Sequence, residues 1–201
     1  MPSWKKKISF GLGALLLSAT MAAQAAPSTE FKVAKTIPSP YPTSLPAGEV
    51  TRFSIALTNG HTDGQPITDV SFTDTFPAGV VLVAASAECK RGNNAAEPLV
   101  VGGSLNDTAF SVSGVTIPGR ADGRDGECVF NLDVTARTAM ENVENSIGAN
   151  TVSGTHTSGA VTNAVGSSQT VTFTAPKPPS VSKSFTPNEV SNTQTSILKL
   201  T

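Results

Sequence analysis

The stretch at 70–83, VSFTDTFPAGVVLV, restricts the fold more than any other part of the chain. Val70, Phe72 and Phe76 share one side of an alternating run, the signature of a strand with one buried face. Pro77-Ala78-Gly79 then bends the chain, because proline presets φ and glycine is free to take positive φ. An apolar run at 80–83 follows, so the unit reads as strand, tight turn, strand, in the manner of a hairpin. Other segments repeat the alternation: Phe53, Ile55 and Leu57 within 50–58; Phe110 with Val112; Val115 with Ile117; Cys128, Phe130, Leu132 and Val134; Val171 with Phe173. Further short strands are expected at 31–37, 147–152 and 160–165, and a single helical turn at 137–142. Short strands with Gly, Asn, Asp and Pro clusters between them predict an all-β, antiparallel β-sandwich.

The start of the chain reads as an export signal. Lys5, Lys6 and Lys7 precede an apolar core at 8–21, and Ala23-Gln24-Ala25 offers a small-x-small cleavage site. Cleavage is expected after Ala25, since one residue later would put Pro27 just past the cut bond. The alternative is an uncleaved membrane anchor, but that run is short for a helix that needs about 20 residues to cross the hydrocarbon. No later stretch is long or apolar enough to span, so no transmembrane segment is expected in the mature chain, which is expected outside the cell, at its surface or in the periplasm. The formal charge is −1, and losing three signal lysines makes it more acidic. Such a chain is a poor nucleic-acid binder, because that binding rests on Lys and Arg neutralising phosphates. Charged residues make up only 14%, against about 25% in typical globular domains, which leaves solubility to Ser, Thr and Asn.

Two cysteines remain, Cys89 and Cys128. In an oxidising compartment an even pair reads most simply as a disulfide; two buried free thiols are the alternative. Strand parity agrees with a bridge if Val81, Val83, Ala85, Ala87 and Cys89 share one face and Cys128, Phe130, Leu132 and Val134 another. Closing a loop of about 40 residues would stabilise the fold by ~3–4 kcal/mol, mainly by restricting the unfolded chain.

The chain divides into a signal peptide at 1–25, a β-sandwich at 26–175, a stiff proline linker at 176–180 and the opening of a second copy at 181–201. The last division rests on Val181-Ser182-Lys183-Ser184-Phe185, which matches Val33-Ala34-Lys35-Thr36-Ile37, and on 196–201, which lines up with 53–58. Four pieces carry a family resemblance: Ile55-Ala56-Leu57-Thr58-Asn59, the run from Val70 through Asp74, Pro77 and Gly79 to Val80, the cysteine pair, and Glu144-Asn145-Ser146-Ile147. In these the chain resembles the bacterial surface-protein repeats called domain of unknown function 11 and their Ig-like relatives. Phe76 stands where that pattern usually has Leu. The resemblance implies an extracellular structural or adhesive repeat with no agreed catalytic site. Its expected partners are neighbouring repeats and a host or cell-surface protein or glycan. The alternative is a carbohydrate- or protein-binding module of a larger secreted enzyme, although Tyr41 is the only Tyr or Trp left after the signal to stack on a sugar.

Catalytic chemistry finds little support. His61 and His156 fall in separate predicted turns and read as solvated loop residues; no G-x-S-x-G is present, and neither cysteine lies in a C-x-x-C. No enzyme activity and no cofactor are expected. Calcium, which takes oxygen ligands from loops, has one weak candidate in Asp122, Asp125 and Glu127, with Arg120 and Arg124 beside them, and still weaker ones in Asp63 and Asp69. Asp74 is expected to be structural, its carboxylate accepting backbone N–H bonds in the turn that also holds Pro77 and Gly79. Some surface Ig-like domains carry a self-formed Lys–Asn bond near a buried acid; Lys35 and Asn163 are the candidate partners here, with no motif enforcing them.

Overall fold

A computed structural model describes residues 25–201 except Lys177, Pro179, Ser180, Pro187, Val190, Gln194 and Thr201. The expected signal at 1–25 lies outside the described residues but for Ala25, as does part of the proline linker. Every regular element among the described residues is a strand. The first half contains β1 (Ala26–Ser28), β2 (Phe31–Thr36), β3 (Ser44–Pro46), β4 (Thr51–Asn59), β5 (Ile67–Thr75), β6 (Val80–Lys90), β7 (Glu97–Leu99) and β8 (Ala109–Ile117). There follow β9 (Gly126–Ala136), β10 (Met140–Ile147), β11 (Ser153–His156), β12 (Gly159–Asn163), β13 (Ser167–Thr174), β14 (Lys183–Thr186) and β15 (Ile197–Leu200).

One five-stranded sheet has the order β2-β4-β9-β6-β7 and a second β1-β12-β11-β5-β8. A third, β10-β13-β3, completes the sandwich, whose buried side chains form one hydrophobic cluster. Phe130 at the centre of β9 meets Phe72 of β5 edge-on at 5.3 Å, and Phe110 of β8 stands 6.3 Å from the Phe130 ring, so aromatic rings from both large sheets interlock. Two pairings depart from the antiparallel expectation: β1 with β12 and β3 with β13 are parallel, each made by a three-residue strand.

The unit at 70–83 is an arch rather than a hairpin. β5 is hydrogen-bonded to β8 and β11, and β6 to β9 and β7, so the chain crosses from one sheet to the other between them. The turn is nonetheless tight: Val80 N–H donates to Pro77 O at 3.0 Å and Gly79 has φ +92°. The reason is burial on both flanks. Phe72 and Phe76 before the turn and Val80 and Leu82 after it all enter the core, and neighbours from opposite sheets supply their cover. Parity along β6 also differs from expectation. Val80 and Leu82 are buried, and a bulge between Leu82 and Ala84 flips the alternation so that Ala87 is buried and Cys89 lies opposite Cys128. Those two cysteines form a disulfide between adjacent strands of one sheet, with Cα atoms 4.0 Å apart.

The helical turn expected at 137–142 does not form. A bend leads into β10, which pairs with β13, and Asn142 takes a left-handed φ of +50° that no helix tolerates. β14 and β15 form a separate two-stranded antiparallel sheet, with Lys183 opposite Leu200 and Phe185 opposite Leu198. In β2 and β4 the corresponding lysine, Lys35, faces Ile55. Matching 196–201 to 53–58 would put Lys183 opposite Leu198, so the second pair is slid by two residues, which preserves its faces.

Candidate functional site: a buried lysine, aspartate and asparagine

Three strands each place one polar residue where their alternation calls for an apolar one. In β2, Lys35 follows Phe31 on the inward face; in β5, Asp74 lies between Phe72 and Phe76; in β10, Asn145 lies between Val143 and Ile147. Lys35 and Asn145 are each 1% exposed and Asp74 is 0%. They come from three different sheets and meet at one carboxylate.

Lys35 Nζ donates to Asp74 Oδ2 at 2.5 Å, and Asn145 Nδ2 donates to Asp74 Oδ1 at 3.0 Å. A second Asn145 Nδ2 hydrogen goes to Thr75 O at 3.0 Å, while Asn145 Oδ1 is buried without a partner. The Phe53 ring lies 4.9 Å from Lys35 Nζ. Burial pushes the Lys35 amine below the usual lysine range, and the charge and hydrogen bond of Asp74 offset only part of that. The Lys35 backbone is tied to β13: its N–H donates to Ser167 Oγ at 2.8 Å, and Gln169 Nε2 donates to its carbonyl at 3.0 Å.

Asp74 therefore does not serve the turn as expected; its two oxygens are taken by side chains from β2 and β10. Asn163, the expected partner of Lys35, is engaged elsewhere. It is fully buried, accepts from Val152 N–H at 2.9 Å and donates to Gly148 O and Val165 O, both at 2.9 Å. Asn145, not Asn163, is the asparagine that shares Asp74 with Lys35, and its mark in the sequence is a polar residue between Val143 and Ile147.

Chemically, the junction holds a nucleophile, an electrophile and a proton carrier. An amine that passes its proton to Asp74 is a neutral nucleophile. A primary amide is a poor electrophile in water, yet here it contacts the same carboxylate as the amine, in a site closed to solvent, which supplies proximity and orientation. The carboxylate touches both nitrogens that must exchange protons in an amine–amide exchange.

The other sites differ from expectation. His61 and His156 are not separate solvated residues: their rings stack at 3.9 Å and 11°, and His156 is 5% exposed. His156 Nε2 lies 3.2 Å from Asp63 Oδ2, and His61 Nε2 is buried with no partner. Burial first, then the neighbouring His156, pulls the His61 pKa down. Asp122, Asp125 and Glu127 do not converge; among the described residues no group of three His, Cys, Asp or Glu side chains is placed to hold a metal. Asp125 pairs with Arg120 at 3.7 Å, and the cavity of about 430 Å³ beside it is lined by Lys90, Arg120 and Arg124 as well as Asp125 and Glu127. That lining repels a divalent cation.

No protein-family model matches the chain, and no curated protein sequence matches it. Among solved structures it is similar to BcpA, the major pilin subunit of Bacillus cereus, with 12% identity and a TM-score of 0.46 over 73% of this chain and 40% of that one. It is similar to a cohesin module from a Clostridium perfringens family 33 glycoside hydrolase, with 11% identity and a TM-score of 0.47 over 74% of this chain and 99% of the module. The collagen binding domain of the Erysipelothrix rhusiopathiae surface protein RspB shares 13% identity at a TM-score of 0.41, covering 71% of this chain and 50% of the domain. The chain thus spans about 40% of the pilin subunit's length.

Proposed function

We propose that this chain is an exported structural or adhesive surface domain, of the repeat kind its motifs resemble, and that it cross-links itself through an amide between Lys35 and Asn145. The observation that carries the reading is the convergence of Lys35 and Asn145 on the two oxygens of Asp74 in a site closed to water. Lys35 Nζ passes a proton to Asp74 and attacks Asn145 Cγ. A C–N bond forms and the bond to Asn145 Nδ2 breaks; the proton held on Asp74 leaves with that nitrogen as ammonia, and the freed carboxylate takes the surplus proton of the attacking Lys35 nitrogen, leaving a neutral amide. No oxidant, cofactor or energy source enters the balance.

A surface domain gains rigidity from such a bond. β2 lies near the start of the sandwich, and β10 pairs with β13, from which the chain runs into the proline linker. An amide from Lys35 to Asn145 joins the entering strand to the exiting pair, so tension along the chain bypasses everything between them.

Intact mass of the purified, reduced protein tests the reading. The expected result is a mass lower by one ammonia than the sequence requires, with a branched peptide joining the segments that contain Lys35 and Asn145 after digestion. Lys35→Ala and Asp74→Ala proteins keep their full sequence mass. A wild-type protein at full mass, with Lys35 free to react with an amine reagent after unfolding, overturns it.

A further inference from the structure

Among the described residues β2 is an edge strand: β4 pairs with one side, and no backbone ladder covers the other. At Lys35, side chains of β13 do what a neighbouring strand's backbone would, with Ser167 accepting from its N–H and Gln169 donating to its carbonyl. Ser167 and Gln169 are two residues apart and so project from the same face of β13. Gln169 is also the register partner of Asn145 across β10 and β13. Residues directly opposite in an antiparallel pair share a face, their Cβ atoms about 4.5–5.5 Å apart. One pair of opposed residues therefore presents both the electrophile, Asn145, and the donor that holds the nucleophile's backbone.

We infer that Gln169, assisted by Ser167, is a positioning residue for the cross-link: it fixes the backbone of Lys35 in register with Asn145 so that the lysine amine reaches the amide. The inference rests on the proposed amide. Without the clasp, the edge strand at Lys35 is held from one side only, by β4. Displacement of reacting groups by about 1 Å slows such intramolecular reactions by up to roughly a hundredfold.

The test follows ammonia loss by intact mass over time after a short pulse of cell-free synthesis of the full chain, with disulfide formation and near-ultraviolet circular dichroism as folding controls. Gln169→Glu keeps size and shape but replaces the donor nitrogen with oxygen; it is expected to slow the reaction at least about tenfold in protein that folds normally. Gln169→Lys, which restores a donor at that reach, is expected to recover most of the rate. A purely packing role would leave Gln169→Glu at the wild-type rate and make Gln169→Lys the slower of the two. Ser167→Ala removes the other arm and is expected to slow the reaction as well, which keeps the test open if one variant folds poorly. If wild type cross-links and the Gln169→Glu and Ser167→Ala proteins match its rate, the positioning role is overturned and the amide stands. If wild type never loses ammonia, both fall.

Discussion

Lys35 sits where its strand's alternation reserves space for an apolar side chain, and a buried charge there is tolerable only with a partner. Asp74 is that partner. Removing one member of a buried pair costs ~3–5 kcal/mol, because the other is left unpaired in a closed site. Asp74→Ala is therefore expected to lower stability by about that amount relative to an uncross-linked reference such as Asn145→Ala, as read by urea unfolding. The pH response carries a sign. A lysine pKa lowered by folding means the unfolded chain binds the extra proton, so the uncross-linked Asn145→Ala protein gains stability as pH rises toward the free-lysine value of 10.5 and loses it as pH falls. The wild-type protein, with Lys35 acylated as proposed, is expected to lack this dependence.

Among the elements, the β11–β12 hairpin is fastened by histidines. His156 at the end of β11 stacks on His61 from the loop after β4 and contacts Asp63 of the same loop. The groups facing His61 are His156, Asp63 and Glu30, and its pKa is lowered from 6.5 mainly by burial. The unfolded chain therefore takes up the His61 proton first, and the stability that neutral His61 contributes is present above 6.5 and lost as pH falls below it. Asp63, with its own pKa lowered, stays charged through that window and does not reverse the sign. Amide exchange in β11 and β12, corrected for intrinsic rates, is expected to be less protected at about pH 5 than at neutral pH. His61→Phe, which keeps a ring in the stack and removes its proton, is expected to abolish most of the change. An unchanged pH response in that variant would mean that the stack is not the fastening.

For the whole molecule, the proposed amide would enclose the disulfide, since Cys89 and Cys128 both lie between Lys35 and Asn145. Load applied at the two ends of the sandwich thus reaches the sulfur bridge only if the amide is missing. Under reducing conditions, pulling Lys35→Ala is expected to release roughly 350–400 Å more chain than pulling wild type, at ~3.3–3.6 Å per residue. Equal extensions would show that no covalent link spans 35–145.

Side-chain period alone determined that this chain makes strands: Phe53, Ile55 and Leu57, and Cys128 through Val134, fill the core as their alternation requires. It could not distinguish an arch from a hairpin at Pro77-Ala78-Gly79, because both use the same turn and differ only in which distant strands take the hydrogen bonds. A one-residue bulge in β6 was likewise invisible, since nothing local marks where alternation will flip. Lys35 and Asp74 could be placed on inward faces by the alternation of their strands, whereas Asn145 could not, because a helical turn was expected at 137–142 and a strand only from Ile147. That they form one site was decided by tertiary structure, because three strands from three sheets, far apart in sequence, had to fold before one carboxylate could hold both an amine and an amide.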